Sequence, residues 1–384
     1  MKVGLLDSTL REGEQSPNVS FTIDQKIKIV NALDEFGIEY IEIGHPAVSP
    51  NIKKSISIIS KLETKAEKVI HSRALKSDID DALSFDTTWI GIFFGTSDIS
   101  LKYKFGINRK AALSRIKYAI KYAKDNNLKI RFTAEDATRT KLPFLIEVAQ
   151  IAEEAGADRF SIADTVGVLT PDKTSALVKE ITNAISIPVH IHCHNDLGMA
   201  TANSIIALKS GAKVADVSIN GLGERSGIAS LAEVAMILKL HFNVVNTWDL
   251  SALIRLSDEL ALISGIPNRL NQPIVGKYAF THKAGLHTRA VIKNPNSYEG
   301  YQPEIINQNR EILIDEFTGK EAIADRLNKL KIDYSPLELN KITNDIKKGN
   351  NSKPFYSWPI IFLVSTLSNT HKTFVLIPAS IAWV

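Results

Sequence analysis

A single cysteine, Cys193, occurs in the 384 residues, so no disulfide can form within the chain and a reducing compartment is the expected setting. An excess of one charge is also missing. The 46 basic and 42 acidic residues leave a net charge of +4 and are interspersed, which argues against nucleic acid as a partner; basic stretches such as 117–129 are solvated helix faces. Long hydrophobic runs are absent too: the two most apolar stretches, 358–367 and 374–384, are shorter than the ~20 residues that span a bilayer, and Asn369, His371 and Lys372 divide them. No membrane association is expected. Met1-Lys2 leads directly into Val3-Gly4-Leu5-Leu6-Asp7 without a signal pattern, so the expected location is cytoplasmic.

What is present, 44% hydrophobic and 23% charged residues, describes a globular chain large enough for one large domain and an appendage. To about residue 245, short β-branched runs alternate with segments of helical period. Strands are predicted at 3–6, 40–43, 68–71, 89–94, 129–133, 159–163, 189–194 and 214–219. Helices are predicted at 23–35, 49–62, 78–84, 109–125, 143–155, 171–184, 200–210 and 227–241. Eight such pairs match a (β/α)8 TIM barrel of the α/β class, with an open doubly wound sheet as the rival. The barrel is preferred because the chemically interesting residues lie at the C-terminal ends of many strands. Thr170-Pro171-Asp172 reads as a helix start, with a hydroxyl cap, and Gly37, Gly156 and Gly211 read as helix ends. The barrel is assigned to 1–275. A small, mainly helical C-terminal subdomain follows at 276–350, including helices at 320–330 and 336–347, and 351–384 form an atypical apolar tail.

The most informative stretch is His192-Cys193-His194-Asn195-Asp196, at the end of the seventh predicted strand. Side chains two apart on a strand share a face, so His192 and His194 can offer two imidazoles to one metal while Cys193 points away. Several carboxylates in Asp7-Ser8-Thr9-Leu10-Arg11-Glu12-Gly13-Glu14-Gln15 can complete such a site. Other strand ends supply His45, His71 and Arg73, Arg131, Thr133 and Glu135, Asp164 and Thr165, and Gly221-Leu222-Gly223-Glu224-Arg225. Arg11 and Arg131 suit bidentate recognition of carboxylates, which points to an anionic carboxylic substrate. Asp7 either orients Arg11 or touches the metal. His190 lies deeper on the face of the two histidines, and a supporting hydrogen-bonding role is expected.

These stretches, together with Phe280-Thr281-His282-Lys283-Ala284-Gly285-Leu286-His287, resemble the signatures of the homocitrate synthase and 2-isopropylmalate synthase family over about residues 1–345. The resemblance implies a metal-dependent (β/α)8 enzyme that condenses acetyl-CoA with a 2-oxo acid. Glu12, His192 and His194 would be the ligands of a divalent metal: zinc, manganese, magnesium or cobalt, with iron also compatible. Arg11 would meet the 2-oxo group and its developing charge, Arg131 and Thr165 the substrate carboxylates, and Gln15 and Arg73 further parts of the substrate. His287 would move a proton with Glu135, supported by Tyr298. In the family the C-terminal subdomain delivers that histidine and tyrosine to the partner subunit, so a homodimer is implied.

Ile228 follows Gly223-Glu224-Arg225-Ser226-Gly227 where the isopropylmalate branch carries asparagine, and Glu12 stands where that branch commonly has aspartate. Both features resemble the homocitrate branch, so 2-oxoglutarate is the expected acid; isopropylmalate or citramalate formation is the runner-up. A related lyase would carry a cysteine in the glycine loop after the eighth strand, and this loop has none. The change of composition from Asn350 onward leaves open a reading of another class, a catalytically impaired binding or assembly homologue with a truncated or frame-shifted end.

Overall fold

A computed structural model describes residues 2–242 and 244–348. Eight strands, β1 (Gly4–Asp7), β2 (Tyr40–Gly44), β3 (Glu67–Arg73), β4 (Trp89–Gly95), β5 (Lys129–Glu135), β6 (Arg159–Asp164), β7 (Val189–Cys193) and β8 (Val214–Val217), pair in parallel in chain order. β8 then pairs with β1, Gly4 opposite Val214 and Asp7 opposite Val217, and the sheet closes. That closure decides for the barrel over the open sheet.

The intervening helices are α1 (Ile23–Phe36), α2 (Pro50–Ile59), α3 (Lys76–Leu83), a single turn α4 (Asp98–Ser100), α5 (Arg109–Asp125), α6 (Leu142–Glu154), α7 (Pro171–Ala184), α8 (Ala200–Lys209) and α9 (Leu231–His241). Local chemistry sets their ends. Thr22 and Gln25 exchange side-chain and backbone hydrogen bonds at the start of α1, and Gly37, at φ +90°, ends it. Thr170 occupies the cap position of α7, but its hydroxyl makes no capping bond; Pro171 and Asp172 remain as the start signals. The segment predicted from 227 begins its helix only at Leu231. Gly227 has a φ of +81°, and Ile228 bridges to His194, which holds this stretch extended.

Besides short 3-10 turns, three helical elements described in this unit went unpredicted. α10 (Leu253–Ser264) buries Leu253, Leu256 and Leu260 on one helical stripe, a legible pattern with no strand before it to flag it. The others are α4 and a π-helical turn after it, Leu101–Phe105.

Arg131 of β5 reaches Glu42 of β2 and Asp216 of β8, strands that are not its neighbours, so all three must point into the barrel. Nearer the N-terminal end, Leu6, Val69, Trp89 and Val214 form an apolar cluster with Tyr40 packed against it. The guanidinium of Arg159 lies over the rings of Tyr40 and Trp89, at 4.2 and 4.3 Å. Two residues further along the strands, Tyr40, Val69, Trp89 and Val214 give way to Glu42, His71, Gly91 and Asp216. The interior thus changes from apolar to ionic towards the strand ends.

The chain divides into two compact units after Gly276. In the second, β9 (Thr281–His282) pairs in parallel with β10 (Glu311–Ile312), and α11 (Gly285–Lys293), α12 (Lys320–Lys329) and α13 (Pro336–Lys348) follow the chain order. Ile314, Ile323, Leu327 and Ile342 form its small core. The apolar tail expected at 351–384 lies outside the described residues. Among the described residues no helix is long and apolar enough to cross a membrane.

Candidate active site

The turn after β1 folds back on itself, with the amides of Arg11, Glu12 and Gly13 all donating to the carbonyl of Ser8. This places Glu12, 2% exposed, beside the end of β7. Its carboxylate oxygens lie 4.0 Å from His192 Nε2 and 3.8 Å from His194 Nε2. Two atoms sharing one ion at about 2.1 Å each can stand at most about 4.2 Å apart, so one ion can bridge both gaps. Among the described residues, Glu12, His192 and His194 are the group of carboxylate, thiol and imidazole side chains whose ligand atoms converge on one point, all within 4.8 Å.

The electrostatics suit a cation. Burial raises the Glu12 carboxyl, but Arg11, His192 and His194 together hold it below the usual range, so it is ionised. Burial, with the neighbouring His192, pushes His194 down to about 4, which leaves a neutral imidazole with a lone pair to give. His192 Nδ1 is 2.9 Å from Asp216 Oδ2. An ionised carboxylate only accepts, so Nδ1 donates to Asp216 and Nε2 is the nitrogen turned towards Glu12 and available to a metal. The donor set, two imidazoles and one carboxylate, fits a divalent metal with open positions.

Glu42 gathers four donors in the layer beneath. Ser8 Oγ and Arg11 Nε donate at 2.6 Å, His71 Nδ1 lies at 3.0 Å, and Arg131 Nη2 donates at 2.6 Å. Burial opposes its charge, yet Arg11 and Arg131 hold the carboxyl well below its ordinary value. Arg11 also donates to Glu12. Arg131 is 2% exposed and spends its terminal nitrogens on Glu42 and Asp216, while its Nε has no partner. Thr133 Oγ1 and Ser161 Oγ, on paired strands, are likewise buried without partners. Gly91 makes room for this guanidinium: a Cβ there would sit 3.0 Å from Arg131 Nη2.

The other predicted residues are distributed as follows. Thr165 accepts from the Asp136 amide at 2.9 Å, tying the loops after β5 and β6. Glu135 is paired with Lys104 of the π-helical turn. Gln15 is exposed. Arg73 is half exposed and gives its Nε and one terminal nitrogen to Asp78, at 2.7 and 2.9 Å. Asp7 neither orients Arg11 nor joins the ligand group: its Oδ1 accepts from the Thr9 amide, and its Oδ2 is buried and unpartnered. His190 does support the site, 2.6 Å from Asp216.

In the second unit the rings of His287 and Tyr298 stack, with centroids 4.0 Å apart. His287 lies in the first turn of helix α11 and His282 on strand β9. Glu299 accepts from Arg310 through both oxygens, at 2.5 Å, and lies 2.9 Å from His282.

The sequence reading overlooked Glu42 and Asp216. Their signal was available: each is an acid inside an otherwise apolar strand, Tyr40-Ile41-Glu42-Ile43 and Val214-Ala215-Asp216-Val217.

The HMGL-like family model matches residues 2–260, and the model described as homocitrate synthase post-HMGL domain-like matches residues 274–354. Homocitrate synthase of Sulfurisphaera tokodaii is 47% identical over 364 residues, covering 93% of this chain and 78% of that one. The chain belongs to the homocitrate synthase family. Homocitrate synthase of Saccharolobus islandicus is similar at 45% over 361 residues, with the same coverage. This family membership makes the protein a condensing enzyme of the acyltransferase class. Among solved structures, the HMG-CoA lyase of Bacillus subtilis superposes with a TM-score of 0.64 at 21% identity, covering 71% of this chain and 97% of its own. The carboxyl transferase domain of Rhizobium etli pyruvate carboxylase gives 0.56 at 16%, covering 71% of this chain and 49% of that one. At such identities these two show the shared barrel alone.

Proposed function

We propose that the protein forms homocitrate and CoA from 2-oxoglutarate and acetyl-CoA, the entry to lysine biosynthesis through 2-aminoadipate, with Glu12, His192 and His194 holding the divalent metal. Bound there, the metal would polarise the 2-oxo carbonyl as a Lewis acid. Arg11, whose guanidinium is kept charged by Glu42 and Glu12 against the cost of burial, stabilises the negative charge developing on that oxygen. Glu135 and His287 transfer the methyl proton of acetyl-CoA, with Tyr298 packed on the imidazole. Hydrolysis of the product thioester makes the reaction irreversible.

The observation that carries the choice of acid is the unpartnered Nε of Arg131, together with the unpartnered hydroxyls of Thr133, two residues further along β5, and of Ser161, which pairs with Thr133. Buried donors without partners are costly. A second carboxylate on the substrate would satisfy them, which favours a dicarboxylic 2-oxo acid over a branched aliphatic one. Thr165 and Gln15 are assigned to the substrate near the metal. Arg73, although paired with Asp78, is assigned to its outer edge. Ile228 supports the same branch: it is buried and its backbone bridges to His194.

A homodimer completes the site in this reading. Leu286 and Phe317 are exposed on the unit that carries His287 and Tyr298, as a face that docks on a partner subunit would be. The test is CoA release from acetyl-CoA with 2-oxoglutarate, 2-oxoisovalerate, pyruvate or oxaloacetate. Release with 2-oxoglutarate is expected. A preference for 2-oxoisovalerate or pyruvate would overturn the assignment, and no release with any acid from folded, metal-loaded protein would favour an impaired homologue.

A further inference from the structure

We propose that Asp216 is a positioning residue shared by the metal centre and the substrate pocket: one buried carboxylate fixes both the nitrogen that His192 offers to the metal and the place of the Arg131 guanidinium. The inference rests on the metal-dependent reading given above. Asp216 stands on β8, 1% exposed. Its Oδ2 lies 2.9 Å from His192 Nδ1, its Oδ1 lies 2.6 Å from His190 Nε2, and Arg131 Nη1 reaches the two oxygens at 3.2 and 3.3 Å. All three partners are themselves buried and come from β5 and β7, so the carboxylate has no contact with solvent.

An acceptor-only group at this point has two effects. It selects the His192 tautomer whose Nε2 faces Glu12. It also anchors Arg131 from the side opposite Glu42, so that the unspent Nε points where neither carboxylate reaches. Asparagine has nearly the same shape but replaces one acceptor oxygen with an NH2 group. That group would face N–H donors from Arg131, His190 or His192, whichever way the amide turned. A purely stabilising ion pair would show a different pattern on substitution: lower thermal stability, with the metal and substrate constants of the folded molecules intact.

The test compares Asp216→Asn with wild-type protein, both stripped of metal and then titrated calorimetrically with Co2+ or Zn2+. Metal affinity is expected to fall about 10- to 100-fold, the usual consequence of losing the partner of a ligating histidine. At saturating metal, KM for the 2-oxo acid is expected to rise about tenfold, the loss of one charge-assisted contact, with a smaller change in kcat. A folded Asp216→Asn protein with wild-type metal affinity and KM would overturn the proposal.

Should that variant fail to fold, the wild type decides. Long-range 1H–15N correlation of metal-free protein at mildly alkaline pH, with His192 assigned through His192→Gln, should show the proton on Nδ1; a proton on Nε2 would overturn the inference. Wild-type protein that bound no metal would instead count against the proposed function, so the two failures are distinct.

Discussion

Asp7 illustrates how a single residue responds to burial. Burial lifts its carboxyl from 3.8 to about 7, against the opposing Thr9 amide bond. Between those values the folded state holds a proton that the unfolded chain has released. Stability therefore falls as pH rises from about 4 towards 7, by up to about 1.4 kcal/mol per pH unit. Asp7→Asn keeps the acceptor for Thr9 and removes the titration. Its melting temperature should exceed that of wild type by a margin that widens from about pH 4 to about pH 7 and is then constant; a gap that does not change with pH would refute the assignment. At the proposed metal centre, His194→Ala is expected to abolish retention of the ion and to lower condensation by several orders of magnitude, measured by metal analysis of dialysed protein beside the CoA-release assay. Chelator treatment of the wild type should reproduce that loss, reversed by adding metal back.

At the scale of elements, the barrel turns strand ends into one site, and two glycines allow the close approaches this requires. Gly91 on β4 sits where any side chain would press on Arg131. Gly91→Ala should therefore raise KM for the 2-oxo acid more than it lowers kcat, which steady-state kinetics would read. Gly227, in the loop after β8, combines φ +81° with a Cβ position 1.9 Å from the Gly221 carbonyl oxygen. This loop carries the Glu224 amide, which donates to Glu12 at 3.2 Å, and Arg225, which grips Asp196 and the Thr165 carbonyl. Gly227→Ala is expected to cost more than about 2 kcal/mol and to loosen Glu12, since a non-glycine residue there meets both strain and a clash. Differential scanning calorimetry and metal titration would check the two effects separately.

For the whole molecule, the proposed homodimer brings His287 of one subunit to the barrel of its partner. A site shared between subunits predicts that two inactive variants, His287→Gln and His192→Gln, regain activity when mixed and allowed to exchange subunits. Random reassortment would make half the dimers mixed, each with one competent site, or about a quarter of wild-type activity. A site built within one chain predicts no recovery.

Much of this was legible in the sequence because it depends on local periodicity. The alternation of apolar runs marks β1 to β8, proline and hydroxyl residues mark helix starts, and the two-residue spacing of His192 and His194 places both on one face of β7 whatever surrounds them. The α/β alternation and the shared face of His192 and His194 follow from such patterns alone, whereas closure into a barrel is a tertiary fact. Other features depend on which strands face one another across the closed interior, and only the tertiary structure decided those. Glu42 and Arg131 are 89 residues apart and Asp216 lies 85 further on. No short-range pattern records that they meet. Closure of β8 on β1 brings them into one low-dielectric layer, where burying any of these charges without the others would be prohibitive. The same closure ties both terminal nitrogens of Arg131 to carboxylates and leaves its Nε as the one guanidinium nitrogen without a partner.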